Sequence, residues 1–516
     1  MKVYTLNQHS KLLLVLTLLA ISGISTSPGL ASATTPSDSS ITEDIDSKIS
    51  DLRQEIKQIE EELNRLKAEQ ESQRSKLEEE QKDDDFKSFE FHGYSRAGFG
   101  WNQDGGTGNK YRWDYGASGL DEHYWRLGNE PKDHYTALQL IKNFKTDDES
   151  FAKFNATLIV APRGEDNFEQ TELVVRQLYS ELGSFSWAPG VTFWAGQKWY
   201  RHPGDQHITD WQFLDISGYG GGVGDIPISQ SAKLSVALLG FIDENDYERV
   251  SGGTTEITDN GEPASYVVDF RVEEIPFSMG NILLQFAPTW TRGGEFSEPV
   301  LADDGSSITE LDAESGWMTA FYLNFNDFFG LLEGGSGRII GRYGRGYGST
   351  LFNNRYMQPN PYTTAIDWGN SSRWSLMLDG VMEITPRLQI MPVIAYQQFD
   401  TGLDTNNSIT KILYGGRAKY GINENFALQL EAGGVYLDSE PTMTSTGHLK
   451  DTLYKVTFAP TIQPELGFWV RPEVRFFMTY AWWDDKESNA FLEDLDGIDP
   501  DDTSGFTYGL QMEVWF

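Results

Sequence analysis

The last eleven residues, Phe506 to Phe516, alternate between two chemistries, and no other stretch limits the chain's fold so sharply. Phe506, Tyr508, Leu510, Met512, Val514 and Phe516 fall on one side; Thr507, Gly509, Gln511, Glu513 and Trp515 fall on the other. Successive side chains of a strand point to opposite faces, so this is a strand with one apolar and one mostly polar face. About ten residues is the length at which a tilted strand crosses the hydrocarbon of a bilayer. A half-buried strand of a soluble sandwich alternates in the same way, so this segment alone leaves both readings open. Trp515 is the exception, a large ring on the polar face.

Composition narrows the choice. No run of about 20 apolar residues follows the N-terminal region, which excludes a helical membrane protein. With 51 Gly, 13% aromatic and only 39% hydrophobic residues, the chain suits a β-barrel, whose strands place apolar residues at every second position. The absence of Cys removes disulfides, thiolate nucleophiles and cysteine metal sites. A formal net charge of −36 argues against nucleic acid as a partner, because phosphate contacts need clustered Lys and Arg. The seven His show no metal-ligand spacing such as HExxH. The run Asp494-Leu-Asp496-Gly-Ile-Asp499 offers oxygen ligands suited to Ca²⁺ but lacks the terminal Glu of a hand-type loop.

Residues 1–33 have the form of a secretory signal peptide. Lys2 and Lys11 supply positive charge, Leu12 to Ile24 forms an apolar core, and Ala31-Ser32-Ala33 fits a small-residue cleavage site. Residues 34–40 are a Thr/Ser/Pro linker. From 41 to 81, Ile45, Ile49, Leu52, Ile56, Ile59, Leu63, Leu66 and Leu77 keep an alternating four-three spacing, with Gln70 and Gln73 at two seam positions. That predicts a coiled coil, and Ile at both seam positions favours three strands over two. Residues 82–88 form a charged hinge, and from Phe89 to Phe516 the composition is aromatic and Gly-rich.

This last region carries many short alternating segments separated by Gly, Asn and Asp clusters, with short turns alternating with long polar loops. The pattern fits a transmembrane barrel. In Phe89–Trp101 the odd positions Phe89, Phe91, Ala97, Phe99 and Trp101 form the apolar face, and Glu90, His92, Tyr94 and Arg96 share the other. In Val470–Trp483, Arg471, Glu473, Arg475 and Thr479 share a face. Charged groups facing hydrocarbon would cost several kcal/mol each, so this face lines a wet lumen. Tyr94 and Trp515 then both point inward, from first and last strands that are neighbours in a closed barrel. Aromatic planes among charges suit sugars, whose C–H faces stack on rings while their hydroxyls take hydrogen bonds.

At this point the residues resemble the maltoporins, sugar-specific porins of Gram-negative outer membranes. The likeness rests on Phe91-His-Gly-Tyr-Ser-Arg-Ala-Gly-Phe-Gly-Trp101, Arg126-Leu-Gly-Asn-Glu130 and Trp194-Ala-Gly with His207, Asp210 and Asp215-Ile-Ser-Gly218. It continues through Tyr454-Lys-Val-Thr, Arg471-Pro472, Thr479-Tyr-Ala-Trp-Trp-Asp484 and Gly509-Leu-Gln-Met-Glu-Val-Trp-Phe516. The N-terminal coiled coil is similar to the extension of the sucrose-porin branch. The resemblance implies an all-β fold, an 18-stranded antiparallel transmembrane barrel that is a homotrimer, with a helical path of aromatics flanked by polar residues. Tyr94, Tyr135, Phe168 and Trp515 match positions of that aromatic slide; Arg96, Arg126, Arg176, Arg201 and Asp210 match its polar track. Gln212 stands where the family has a constriction tyrosine, Ala137 where it has a track glutamate, and Ile412 or Leu413 where it has a later slide tryptophan. These departures bear on maltodextrin preference more than on sugar passage.

The leading reading is a passive channel for maltodextrin- or sucrose-like sugars, without enzymatic chemistry, in the outer membrane and with the coiled coil in the periplasm. A general diffusion porin of the same fold is the first alternative, favoured by Gln212 and Ile412/Leu413. An exported carbohydrate-active enzyme would need two carboxylates about 5–10 Å apart around a sugar, and no motif selects such a pair. A structural tether between outer membrane and cell wall has only the coiled coil in its favour.

Overall fold

The computed structural model describes Ser50, Gln54, 56–59 and 61–67 of the N-terminal region. From Ser88 onward it describes the chain except 114–124, 129–133, 145, 147–149, 163–170, 202–206, 210–215, 242–245, 252–253, 260–264, 293, 302–306, 353–365, 405–407, 440–447 and 493–497. The chain divides into two compact units, Met1–Asp83 and Asp84–Phe516. In the first unit the described residues are helical, with Ile56, Ile59, Leu63 and Leu66 exposed. Their three-four-three spacing sets them in one stripe along the helix. The signal peptide, the linker and most of the heptad segment lie outside the described residues.

The second unit is a closed antiparallel barrel. Its first strands are β1 (Phe89–Asn102), β2 (Tyr135–Phe144), β3 (Phe151–Pro162), β4 (Thr171–Phe185), β5 (Ala188–Lys198), β6 (Gly218–Pro227) and β7 (Lys233–Phe241). Next come two short strands, β8 (Asp246–Ser251) and β9 (Thr254–Asp259), then β10 (Ser265–Phe277) and β11 (Gly280–Thr291). Two more short ones follow, β12 (Gly294–Leu301) and β13 (Ser307–Leu311), then β14 (Ser315–Phe325), β15 (Ser336–Gly346), β16 (Ser372–Thr385) and β17 (Leu388–Asp400). The last are β18 (Ser408–Gly421), β19 (Phe426–Ser439), β20 (Leu449–Ile462), β21 (Glu473–Trp482) and β22 (Ser504–Trp515).

Eighteen of these strands form one sheet, each paired with its barrel neighbours, and β1 closes the cylinder on β22. The other four, β8, β9, β12 and β13, are two loop hairpins joined into a separate four-stranded sheet. The eighteen-strand expectation therefore holds, and closure leaves no open edge within the bilayer, where unpaired backbone groups have no water to bond.

The barrel is apolar outside and polar inside, the reverse of a soluble fold. Phe91, Phe99, Leu284, Phe286, Ile394, Phe476 and Leu510 are exposed on the outer wall, while Arg342, Arg417, Arg475, Glu431, Glu473 and Glu513 are buried within. Alternation at period two makes both faces from each strand. A cation turned to the lipid midplane would cost ~2–4 kcal/mol, which fixes the register.

One end of the barrel has tight connections, two residues each between β4 and β5, β10 and β11, and β16 and β17. The opposite end has long ones, such as 103–134, 199–217, 347–371 and 483–503. Parts of these long loops fold inward: Trp113, Trp125, Ile208, Phe352, Trp368, Trp483 and Phe491 join the buried cluster. Trp125 lies against Gly415 and Gly433, which face each other in register on β18 and β19. A Cβ on Gly433 would sit 2.1 Å from the Trp125 ring, so the two glycines form its seat.

At the tight-turn end, residues 463–472 between β20 and β21 are longer than their neighbours, and this connection also folds inward. Phe468 is buried, Lys419 Nζ donates to the Gly467 carbonyl at 2.7 Å, and Arg471 donates to the carbonyls of Phe468 and Val470 at 3.2 and 2.9 Å.

Candidate functional site

The lumen wall at the β1–β22 seam gathers most of the residues that the sequence singled out. Tyr94 is the register partner of Trp515, and Arg96 that of Glu513 on one side and Tyr135 on the other. Inward positions at i and i+2 bring Tyr94 and Arg96 to one face. The Tyr94 and Tyr135 ring centres are 6.0 Å apart and tilted by 51°. The Arg96 guanidinium lies 5.3 Å from the Tyr135 ring centre, and that of Arg126 lies 5.5 Å from the Tyr94 ring centre. Distances of this size are within reach of cation–π attraction.

Glu513 organises the polar side of this cluster. The Tyr94 hydroxyl donates to its Oε1 at 2.9 Å and accepts from Arg126 Nη2, which is itself 3.3 Å from the same carboxylate oxygen. Arg471 donates to Oε2 through Nε at 3.0 Å and lies 2.8 Å from it through Nη2. Its register partner on β21 is a second buried carboxylate, Glu473. Two carboxylates directly opposite repel. Here Arg475 lies between them, 2.8 Å from Glu473 and 3.4 Å from Glu513, and Lys419 bonds Glu473 from the other side. Gln429 completes the shell of Glu473 at 3.1 Å. A third pair, Arg417 and Glu431 at 2.6 Å, holds the inward loop through a 2.8 Å bond from the Leu127 amide.

Trp515 is half-buried, with Arg471 packed on its ring at 4.0 Å from the centre. The His207 ring, from the β5–β6 loop, meets Trp515 edge-on at 5.7 Å and 88°. Arg471 Nη2 donates to His207 Nε2 at 3.1 Å; an arginine has no acceptor, so this nitrogen carries no proton. Burial pushes His207 well below its ordinary range, and the neighbouring arginines add to this against the opposite pull of Glu513. The β1–β2 and β5–β6 loops are tied together here, since the Arg126 amide donates to the Ile208 carbonyl at 2.8 Å.

The other expected residues fall elsewhere. Arg176 is the extra residue of a bulge in β4 and is half-buried. Arg201 stands at the start of the β5–β6 loop with its guanidinium 4.4 Å from the Trp199 ring centre. Phe168, Asp210 and Gln212 lie outside the described residues. At the later slide position, Leu413 faces the lumen and is buried, while Ile412 is half-buried on the opposite side of the strand. Ala137 is buried opposite Tyr94. Sequence reasoning did not select Glu513 or His207 as site residues, nor Trp469, whose ring meets His207 at 5.6 Å and 65°. Glu513 had one signal, a charge on the same strand face as Trp515.

Among the described residues no group of three or more His, Asp or Glu is placed to hold a metal ion. Two of the three aspartates of the proposed Ca²⁺ loop, Asp494 and Asp496, lie outside them.

Chemically, the cluster combines half-buried rings with fixed charged donors and acceptors. It can bind an amphiphilic solute weakly and release it. The model of the LamB porin family matches residues 89–516. Among solved structures, the outer membrane channel DcaP of Acinetobacter baumannii is similar at 12% identity, covering 83% of this chain and 97% of that one, with a TM-score of 0.41. OccD3 (OpdP) of Pseudomonas aeruginosa is similar at 10% identity, covering 83% and 91%, with a TM-score of 0.37. OmpF of Salmonella typhi, in complex with daunomycin, is similar at 8% identity, covering 83% and 97%, with a TM-score of 0.38.

Proposed function

This chain belongs to the LamB porin family, and from that premise we propose that it carries sugars, maltodextrin- or sucrose-like, through the outer membrane along the ring cluster of β1, β2 and β22. It is an outer-membrane diffusion channel rather than an enzyme. The observation that carries the sugar reading is the joining of Tyr94, Tyr135 and Trp515 at one seam, with guanidinium groups of Arg96, Arg126 and Arg471 beside their rings. A pyranose ring can lay its C–H face on such a ring while its hydroxyls bond to the flanking guanidinium and carboxylate groups. Weak binding at several overlapping places lets the sugar step along and leave, and the concentration gradient sets the direction. Phe168 extends the slide in this reading, and Arg176, Arg201, Asp210 and Gln212 its polar border.

The working unit is a homotrimer, and residues 41–81 form a three-stranded coiled coil in the periplasm; the exposed stripe Ile56, Ile59, Leu63 and Leu66 supports such a seam. Ca²⁺ at the Asp494–Asp499 loop remains a minor part of this proposal.

A general diffusion porin is the second reading, favoured by the aliphatic Leu413 in place of a ring. Single-channel recording with a panel of sugars separates the two. Concentration-dependent block of the ion current supports the sugar channel, and current indifferent to every sugar overturns it.

A further inference from the structure

The outer wall opposite the seam carries a recess that the lumen chemistry leaves unexplained. There β11, β14, β15 and β16 are neighbours, and their outward residues fall into register rows. One row joins Phe286, Thr319, Tyr343 and Trp374; the next, nearer the tight turns, joins Phe321, Gly341 and Leu376. A Cβ on Gly341 would sit 2.3 Å from the Phe321 ring, so only glycine lets that ring lie down on the wall. The two rows line a groove of about 800 Å³. Its far rim is fixed, since Trp374 Nε1 donates to Gln398 Oε1 at 3.1 Å and its ring stacks on Tyr396 at 4.7 Å.

Arg345 stands one row above this groove, toward the long loops, with Trp317 and Ser372 as its register partners. Its side chain is exposed, and among the described residues it makes no hydrogen bond or ion pair. In the same row Asp400 lies two strands away, where its carboxylate accepts the Gly402 amide at 2.9 Å. The rise from Ser336, where β15 begins, to Arg345 is roughly 23 Å on a strand tilted by about 40°, close to the height of the apolar band of such barrels. Arg345 therefore sits at the headgroup level on the loop side, with the rings of Trp317 and Tyr343 at the membrane interface beside and beneath it.

We propose that this face holds a phosphorylated lipid of the loop-side leaflet, its phosphate on Arg345 and one acyl chain in the groove beneath. Each part of the surface matches one part of that occupant. A guanidinium pairs with phosphate oxygens, and a narrow apolar recess takes a chain of methylene groups. A second copy of this chain fits less well, because an opposing barrel wall is convex and would cover the Arg345 charge without an anion to meet it. The site is separate from the lumen and does not depend on which solute passes.

The test places the full-length protein in dioleoylphosphatidylcholine vesicles with a small fraction of phosphatidic acid that carries a photoreactive acyl chain. A parallel sample carries the same chain on phosphatidylcholine. Crosslinks from the phosphatidic acid should concentrate on β11, β14, β15 and β16, about fivefold above those from the phosphatidylcholine, the range for one cation beside an anionic headgroup. Arg345→Gln should remove that preference, and Arg345→Lys should keep most of it. Gly341→Leu should fill the recess and remove the crosslinks on this face from both probes. Wild-type single-channel conductance in each variant shows that the barrel has formed. Crosslinks spread evenly round the wall, or a preference that survives Arg345→Gln, would overturn the proposal. Leu376→Cys supplies the chain with its one thiol. Full conversion of that variant to disulfide-linked pairs would put a second copy on this face and overturn the proposal too.

Discussion

Tyr94 and Trp515 stand opposite each other across the seam where the first strand of the barrel meets the last. They are separated by 421 positions in the chain, yet each ring is held by an arginine that also bonds Glu513. One carboxylate thus sets the orientation of two rings, and its neighbours decide how firmly.

Removing the Trp515 ring is the most direct check on that arrangement. Trp515→Ala should weaken sugar block by about 1–2 kcal/mol, or roughly five- to thirtyfold in half-blocking concentration. Ion conductance should hold or rise, because the lumen widens and no charge is lost. Unchanged block in single-channel recordings, together with lost stability, would assign the ring to packing.

Glu513 is a position at which stability depends on a buried ion network. Glu513→Ala leaves Arg126 and Arg471 without their shared carboxylate, and stripping one partner from a buried ion network costs about 3–5 kcal/mol. Glu513→Gln keeps an acceptor for the Tyr94 hydroxyl and should cost less. Denaturant unfolding of the detergent-solubilised protein gives the order wild type, Gln, Ala; equal stability of all three would contradict the network's role.

The seat of Trp125 gives a prediction about the inward loop. Gly433→Val places carbon atoms where the indole now lies, since even a Cβ would be 2.1 Å from the ring. Overpacking of this kind costs about 1–3 kcal/mol. The loop should leave its seat, single-channel conductance should rise, and protease should cut the β1–β2 loop faster than in the wild type. Wild-type conductance and cleavage would mean that the wall yields instead.

We propose that the subunits of the homotrimer associate through their barrel walls rather than through the heptad segment. Deleting residues 41–81 should therefore leave a trimer in native electrophoresis and in analytical ultracentrifugation. A monomeric product would transfer the association to the heptad segment.

Much of the barrel was legible because period-two alternation reports a face directly, as in Phe89–Trp101 and Phe506–Phe516. The seam pair followed from the same reasoning, since inward residues of first and last strands must meet once a sheet closes. The resemblance supplied the strand number and drew attention to Arg96, Arg126 and Tyr135. His207 and Trp469 were not legible as neighbours. Each sits on a connection without periodicity, and their meeting depends on two segments folding into the lumen from opposite ends. Glu513 was visible as an inward charge, but its partners come from the β1–β2 loop and the β20–β21 connection, which no strand pattern encodes.

That meeting of a loop from one mouth and a turn from the other has a kinetic consequence. A solute arriving from the loop side meets the descending segment that carries His207, whereas one arriving from the turn side meets the inward connection that carries Trp469. Detailed balance requires a single dissociation constant whichever side is loaded, so any difference in association rate must be matched by an equal difference in the rate of escape to that side. The channel can therefore be faster from one face than the other in filling and emptying, while remaining incapable of concentrating anything.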